Sequence, residues 1–186
     1  MIQQIDPSTL HWLRQPSMYM FDHGKLVLET EPYTSFHSLS FDSTNAFGML
    51  LDPMTSFCFT ARMDYLFRGI EDECGLLLKR NNTTWAKSGV ECRSDALDLA
   101  CTVYSDGYGD RSCREIGSGI RWMYLRVLYW SGNARFQYSF NGTKYSDMRW
   151  LRFAPGEEPV IAGIYACSGG DSYFDCTFSE LQLREL

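Results

Sequence analysis

The sequence predicts an all-β fold, an antiparallel β-sandwich built as one domain over residues 1–186. Three observations carry this prediction. Eight or more runs are either alternating or apolar throughout, and each is short enough for a strand. Gly, Asn and Pro punctuate the gaps between them. No stretch of helical length repeats its apolar residues at a 3.6-residue period. Hydrophobic residues at 45 % and aromatics at 15 % supply a sizeable core and exclude a disordered chain.

Taken in order, His11-Trp12-Leu13-Arg14-Gln15-Pro16 opens the domain, with Trp12 read as a packing residue. His23-Gly24 turns into a strand over 25–30, and Pro32, which lacks an amide donor, closes it. Residues 56–63 alternate, with Phe57, Phe59, Ala61 and Met63 on the apolar face. After a loop over 65–72, residues 73–80 read as a buried strand ending in the charged pair Lys79-Arg80, and Asn81-Asn82-Thr83 supplies a turn. Residues 85–92 then alternate strictly. Trp85, Lys87, Gly89 and Glu91 point to one side, while Ala86, Ser88, Val90 and Cys92 point to the other.

The strand over 96–104 turns Leu97, Leu99, Cys101 and Val103 inward and Asp98, Thr102 and Tyr104 outward. Residues 105–110 read as a glycine-rich loop without the ligand spacing of a calcium loop or the lysine of a phosphate loop. Residues 121–130 form the longest predicted strand. Met123, Leu125, Val127 and Tyr129 share one face, and Trp122, Tyr124, Arg126, Leu128 and Trp130 share the other. Ser131-Gly132-Asn133 leads into a strand over 134–140, and Asn141-Gly142 is the strongest short hairpin signal. Runs over 160–166 and 173–183 complete the set.

Charge and composition exclude several functions. A net charge of −6 with no basic stripe argues against nucleic acid as a partner. No apolar run approaches the roughly 20 residues of a membrane helix, and the N-terminus lacks the basic and apolar regions of a signal peptide. The seven cysteines are odd in number and none lies in a Cys-x-x-Cys pair, so free thiols in a reducing, cytoplasmic compartment are expected. The Asn-x-Thr triplets at Asn81, Asn82 and Asn141 have no consequence there. His11, His23 and His37 have no metal-site spacing, and no nucleophile elbow or dinucleotide fingerprint occurs. No metal or cofactor is therefore expected.

The functional candidates lie on the side of the 85–92 strand that carries Trp85, Lys87 and Glu91. An aromatic ring, a cation and a carboxylate in a row are an odd set for a solvent face, and Tyr104 and Arg126, with Tyr124, join them as the expected ligand-binding residues. Aromatic faces stack on sugar rings while fixed charges bind hydroxyls. The competing reading is a structural ladder. Lys87 and Glu91 have Cα atoms about 13 Å apart along an extended strand, so each is expected to pair across strands, for instance Glu91 with Arg126, at about 0.2–1 kcal/mol per pair. Glu73 and Glu91 are the candidate catalytic carboxylates. Glu71 and Glu73 would lie about 6.5–7 Å apart in extended chain, against the roughly 5–5.5 Å of a retaining glycosidase, with an acidic loop as the alternative. His37 is a general base by type, but no carboxylate partner for it is identified.

The string Asp72-Glu73-Cys74-Gly75-Leu76, a turn, then Trp85-Ala86-Lys87-Ser88-Gly89-Val90-Glu91 resembles the signature of DUF1349, a regulation-of-enolase-like family of unknown function. The family pattern is roughly Asp-Gln-Ala-Gly-Leu followed by Trp-hydrophobic-Lys-small-Gly-hydrophobic-Glu, so Glu73 and Cys74 depart from it. Thr34-Ser35-Phe36-His37 stands where the family shows Thr-Asp-Phe-Trp. The resemblance runs from about Trp12 to Leu183 and implies a jelly-roll sandwich similar to the concanavalin A-like lectins and glucanases. Three functions follow as expectations. The first is non-catalytic recognition of a carbohydrate or polyol on a concave sheet face. The second is a glycoside hydrolase using Glu73 or Glu91. The third, by analogy, is a protein-interaction module regulating a metabolic enzyme.

Overall fold

The computed structural model describes residues 1–36, 40–94 and 96–186. Two antiparallel sheets are packed face to face. The seven-stranded sheet runs β10 (Tyr108–Ile116), β9 (Ala96–Ser105), β8 (Thr84–Arg93), β7 (Asp72–Lys79), β14 (Ile161–Ser168), β5 (Phe47–Leu50) and β2 (His11–Arg14). The eight-stranded sheet runs β13 (Ser146–Arg152), β12 (Asn133–Ser139), β11 (Trp122–Trp130), β6 (Phe57–Tyr65), β15 (Asp175–Glu185), β4 (Lys25–Glu29) and β3 (Tyr19–Asp22), with β1 (Ile2–Gln4) also on β15. The all-β antiparallel sandwich expected from the sequence is the observed fold.

The alternation explains why these strands sit where they do. On β11 Met123, Leu125, Val127 and Tyr129 are buried between the sheets, while Trp122, Tyr124, Arg126 and Leu128 turn outward. On β6 Phe57, Phe59, Ala61 and Met63 face the same core, meeting Leu76, Leu78 and Val90 of the opposite sheet. A second cluster lies outside the sandwich, on the outward face of the seven-stranded sheet. There Leu77, Trp85, Tyr104, Tyr165 and Cys167 are covered by Phe36, Phe41 and Ala46. This roof is pinned at its edges by backbone bonds, Thr34 N–H to Ser168 O at 2.9 Å and Phe41 N–H to Asn82 O at 2.9 Å.

Three local expectations need correction. Residues 105–110 are not a glycine-rich loop: Asp106-Gly107, with φ of 49° and 87°, is a two-residue hairpin turn joining β9 to β10. Their paired positive φ values suit a tight hairpin whose twist matches its strands. Nearly all of β10 is exposed, so it carries no apolar period in the sequence. The Asn141-Gly142 signal does mark a hairpin, but β12 ends at Ser139 and β13 begins at Ser146. Asn141 Oδ1 there accepts the N–H groups of Thr143 and Lys144, and the connection is longer than two residues. The longest strand is β15, at 11 residues, not the one over 121–130.

Candidate functional site

Glu73, Lys87 and Glu91 come together because β7 and β8 pair in a register that sets Glu73 opposite Glu91 and Leu77 opposite Lys87. At the centre of this stretch Gly75 faces Gly89, and a Cβ on Gly89 would meet Cys74 O at 2.3 Å and Tyr165 Oη at 2.8 Å. Gly89 thus leaves room for the Tyr165 hydroxyl, and Gly75 for the close approach of the Ser88–Gly89 backbone. The Lys87 ammonium donates to both Glu73 carboxylate oxygens at 2.6 and 2.7 Å. It also lies 3.6 Å from Glu91 Oε1. The expectation that Lys87 and Glu91 are too far apart to pair is therefore corrected: their long side chains lean toward each other along the strand and close the Cα gap. Glu91 is not partnered by Arg126 either. Its Oε2 accepts from Arg93 Nη2 and Arg111 Nη2, each at 2.8 Å, and Arg111 bridges on to Asp98 at 2.8 Å.

The Glu73–Lys87–Glu91 centre of this network is closed to solvent, while Arg93 and Arg111 at its rim are partly exposed. The side chains of Lys87 and Glu91 are 1 % and 2 % exposed, and Trp85 is fully buried. The Trp85 ring stacks on Tyr104 at 4.0 Å between centroids and takes the edge of Phe36 at 4.8 Å. Burial pushes the Lys87 ammonium toward neutrality, but the Glu73 and Glu91 carboxylates outweigh it and hold its pKa above the usual lysine value. Burial likewise pushes Glu91 up, yet the Lys87 charge and the hydrogen bonds of Arg93 and Arg111 bring it down to about 2. The Cys167 thiol donates to Glu73 at 3.2 Å, and burial raises its pKa. Among the described residues, the buried hydroxyls of Thr102 and Tyr165 and the Trp85 indole N–H have no hydrogen-bond partner.

Of the expected binding residues, Trp85, Lys87, Glu91 and Tyr104 share one face, under the roof. Arg126 does not join them: it projects from the other sheet, as Tyr124 does. The reason is topological, because β11 pairs with β6 and β12 and has no edge in common with β8. Glu71 and Glu73 do not form an extended pair either. Glu71 adopts φ of 69°, which breaks the strand between them, and its half-exposed side chain faces Arg93 at 3.9 Å. Asp72 is consumed by the preceding loop, accepting the N–H groups of Arg68 and Gly69 and the Ser172 hydroxyl. His37 lies outside the described residues. His11 and His23 sit at the surface beside Asp52 and Asp22. Among the described residues no cluster of His, Cys, Asp or Glu could hold a metal.

Arg126 leads to a different face. The outward side of the eight-stranded sheet carries a groove of about 740 Å³ lined by Gln4, Ile5, Asp6, His23, Gly24, Lys25, Arg62, Asp64, Thr177, Ser179 and Glu180. Arg62 bonds both carboxylate oxygens of Asp64 at 2.9 Å, and its guanidinium lies 4.5 Å over the Trp122 ring. Glu180 sits in a bulge of β15 between Ser179 and Gln182, with φ of 50°, and accepts the Tyr124 hydroxyl at 2.8 Å. Farther along, Arg126 lies 3.6 Å over Tyr145 and donates to Gln137 at 2.9 Å. The alternation over 56–63 already turned Arg62 outward. No sequence signal marked the bulge that aims Glu180.

The family model for DUF1349, described as a protein of unknown function, matches residues 12–186. The chain is 29 % identical over 175 residues to "Regulation of enolase protein 1" of Saccharomyces cerevisiae, covering 92 % of this chain and 87 % of that one. In structure it is similar to a functionally unknown protein from Saccharomyces cerevisiae, with a TM-score of 0.88 and 24 % identity over 98 % of this chain and 99 % of that one. It is also similar to the GH43 BlXynB protein from Bacillus licheniformis, with a TM-score of 0.74 and 14 % identity over 98 % of this chain. A xylan beta-1,4-xylosidase from Bacillus halodurans gives a TM-score of 0.68 and 14 % identity over 99 % of this chain. This chain spans 38 % and 39 % of those two proteins, and the likeness carries the sandwich fold alone.

Proposed function

Because this chain belongs to DUF1349, a family of unknown function, we propose from its own geometry that it is a non-catalytic module recognising a carbohydrate or related polyol. The observation that supports this most is the open groove beside Trp122 on the eight-stranded sheet. Its volume falls within the roughly 300–1,000 Å³ of small-molecule sites. A sugar asks for donors and acceptors in fixed positions and an aromatic face for its ring. Arg62, Asp64 and Glu180 hold one another in place, and Trp122 is braced by Arg62. Glu180 keeps a left-handed backbone conformation that a non-glycine residue adopts at a cost, which is a common mark of a positioned side chain.

The hydrolase reading has less support. A general acid must keep its proton near the working pH, and Glu91 loses its own at about 2. Glu73 is buried and bonded to Lys87 through both oxygens. In the proposed function Trp85, Lys87, Glu91 and Tyr104 are roofed scaffold, and Arg126 is the member of the expected set that stands on the open face. A protein partner is the second reading. It is favoured by the exposed edge strand β3, where Tyr19, Met20 and Phe21 lie beside exposed Met18, and by the likeness to the regulation-of-enolase protein.

The test is a glycan array followed by calorimetric titration of wild type, Arg62→Met and Trp122→Ala. Wild type should retain a neutral glycan, and each variant should lose about tenfold or more in affinity. A wild type that retains no glycan overturns the proposal, as does full affinity in both variants.

A further inference from the structure

The groove beside Trp122 is one end of a longer aromatic track. Tyr124, Arg126 with Tyr145 over it, and then Trp130 and Trp150 continue along the same outward face. Trp130 and Trp150 lie 5.9 Å apart by ring centroid at the far end, and Trp150 is 64 % exposed on the edge strand. In register, Leu128 faces Arg135, which faces Trp150. Trp122 and Trp150 are therefore separated by six residues of strand and two inter-strand steps, or about 22 Å. A single sugar ring cannot reach both.

Most of the charges between the two ends are paired from within, and Arg126 is held instead by neutral Gln137 and the Tyr145 ring. Asp64 holds Arg62, and Asp147 takes Arg135 through both oxygens and Gln137 through one. Such a face offers an ion little unpaired charge, and it keeps amide, guanidinium and carboxylate groups at fixed positions for hydroxyls. Building on the sugar-recognition reading, we infer that the ligand is an extended, neutral oligosaccharide chain. It lies along this face from the Trp122 groove to the Trp130/Trp150 pair. A flat β-linked chain suits the track, because its rings present apolar faces to successive aromatic platforms set into one sheet.

The probes are β-1,4-linked xylo-oligosaccharides and cello-oligosaccharides, each from the monomer to the hexamer, titrated against wild type, Trp122→Ala and Trp150→Ala. Thermal melts check that both exposed-residue variants are folded. Wild-type affinity should rise about tenfold or more from dimer to hexamer. Trp150→Ala should remove most of that rise while affecting the dimer far less, and Trp122→Ala should weaken every length. A dimer that binds as tightly as the hexamer overturns the chain inference and leaves sugar recognition standing. The same holds for a Trp150→Ala variant with an unchanged length dependence. No binding at any length by wild type, here and on the glycan array, overturns both. In that outcome, saturable binding of a protein at the same residues would assign the aromatic face to a protein partner.

Discussion

At the scale of single residues, Lys87 matters because of what its removal would leave behind. In Lys87→Met the Glu73 carboxylate would keep, among the described residues, only the Cys167 thiol as its hydrogen-bond partner, inside a site shielded from water. A stranded buried charge costs about 3–5 kcal/mol, a large part of the 5–15 kcal/mol that holds a domain together. Lys87→Met should therefore unfold at markedly lower denaturant than wild type. Glu91→Gln should be milder, since Lys87 keeps Glu73 and the two arginines freed are partly exposed. Equal losses in a urea melt would contradict the pairing. The pH dependence follows with its sign. Glu91 has a folded pKa of about 2 against an ordinary 4.5, so its contribution is complete above 4.5 and disappears as pH falls toward 2. The raised Lys87 pKa acts at the other end, contributing fully below 10.5 and fading only as pH climbs past its folded value. Melts from pH 7 down to pH 2 should show wild type losing stability below 4.5, with a shallower slope in Glu91→Gln.

The roof and the tight hairpins belong to the scale of elements. Phe36 is fully buried against Trp85, Tyr165 and Phe41, with ring centroids at 4.8, 4.9 and 5.6 Å. It packs as a core residue does, although it sits outside the sandwich. Phe36→Ala should cost about 3–5 kcal/mol, the usual range for emptying a buried aromatic site. A melting temperature close to wild type would mean that the segment covers Trp85 loosely, and would reopen the Lys87 face to ligands. Sequence patterning was informative for this element only on one side. It put Trp85, Lys87 and Glu91 on a shared face and left open what lay above them. Phe36 arrives from far earlier in the chain, with no periodicity to announce it.

Across the whole molecule the seven cysteines are all free thiols in the fold. Five are buried, and burial raises the pKa of Cys101 to about 12, leaving almost no reactive thiolate at neutral pH. Native protein should therefore label quickly at exposed Cys113, while Cys74, Cys101 and Cys167 should react only after unfolding, for a total of seven. Mass spectrometry of protein alkylated before and after unfolding would read this directly. A pair protected from alkylation until reduced would contradict both the free thiols and the reducing compartment proposed for the protein. Among the described residues, no helix is long and apolar enough to cross a membrane.

What the sequence by itself determined was the strand set and the facing of its side chains, because alternation is a local property that each strand carries in its own residues. Met123 inward and Trp122 outward, Ala86 inward and Lys87 outward, and the turns at His23-Gly24 and Ser131-Gly132 were all legible in this way. The tertiary structure alone decided which outward faces see water. Lys87 and Arg126 look alike in a strand pattern, yet Lys87 is buried among Glu73, Glu91 and Tyr165 on the face that Phe36 and Phe41 help to cover, and Arg126 is half-buried on an uncovered face. That difference depends on which strands become neighbours and which distant segment folds over them. Both are set by the summed burial of the whole chain, and no single strand encodes them.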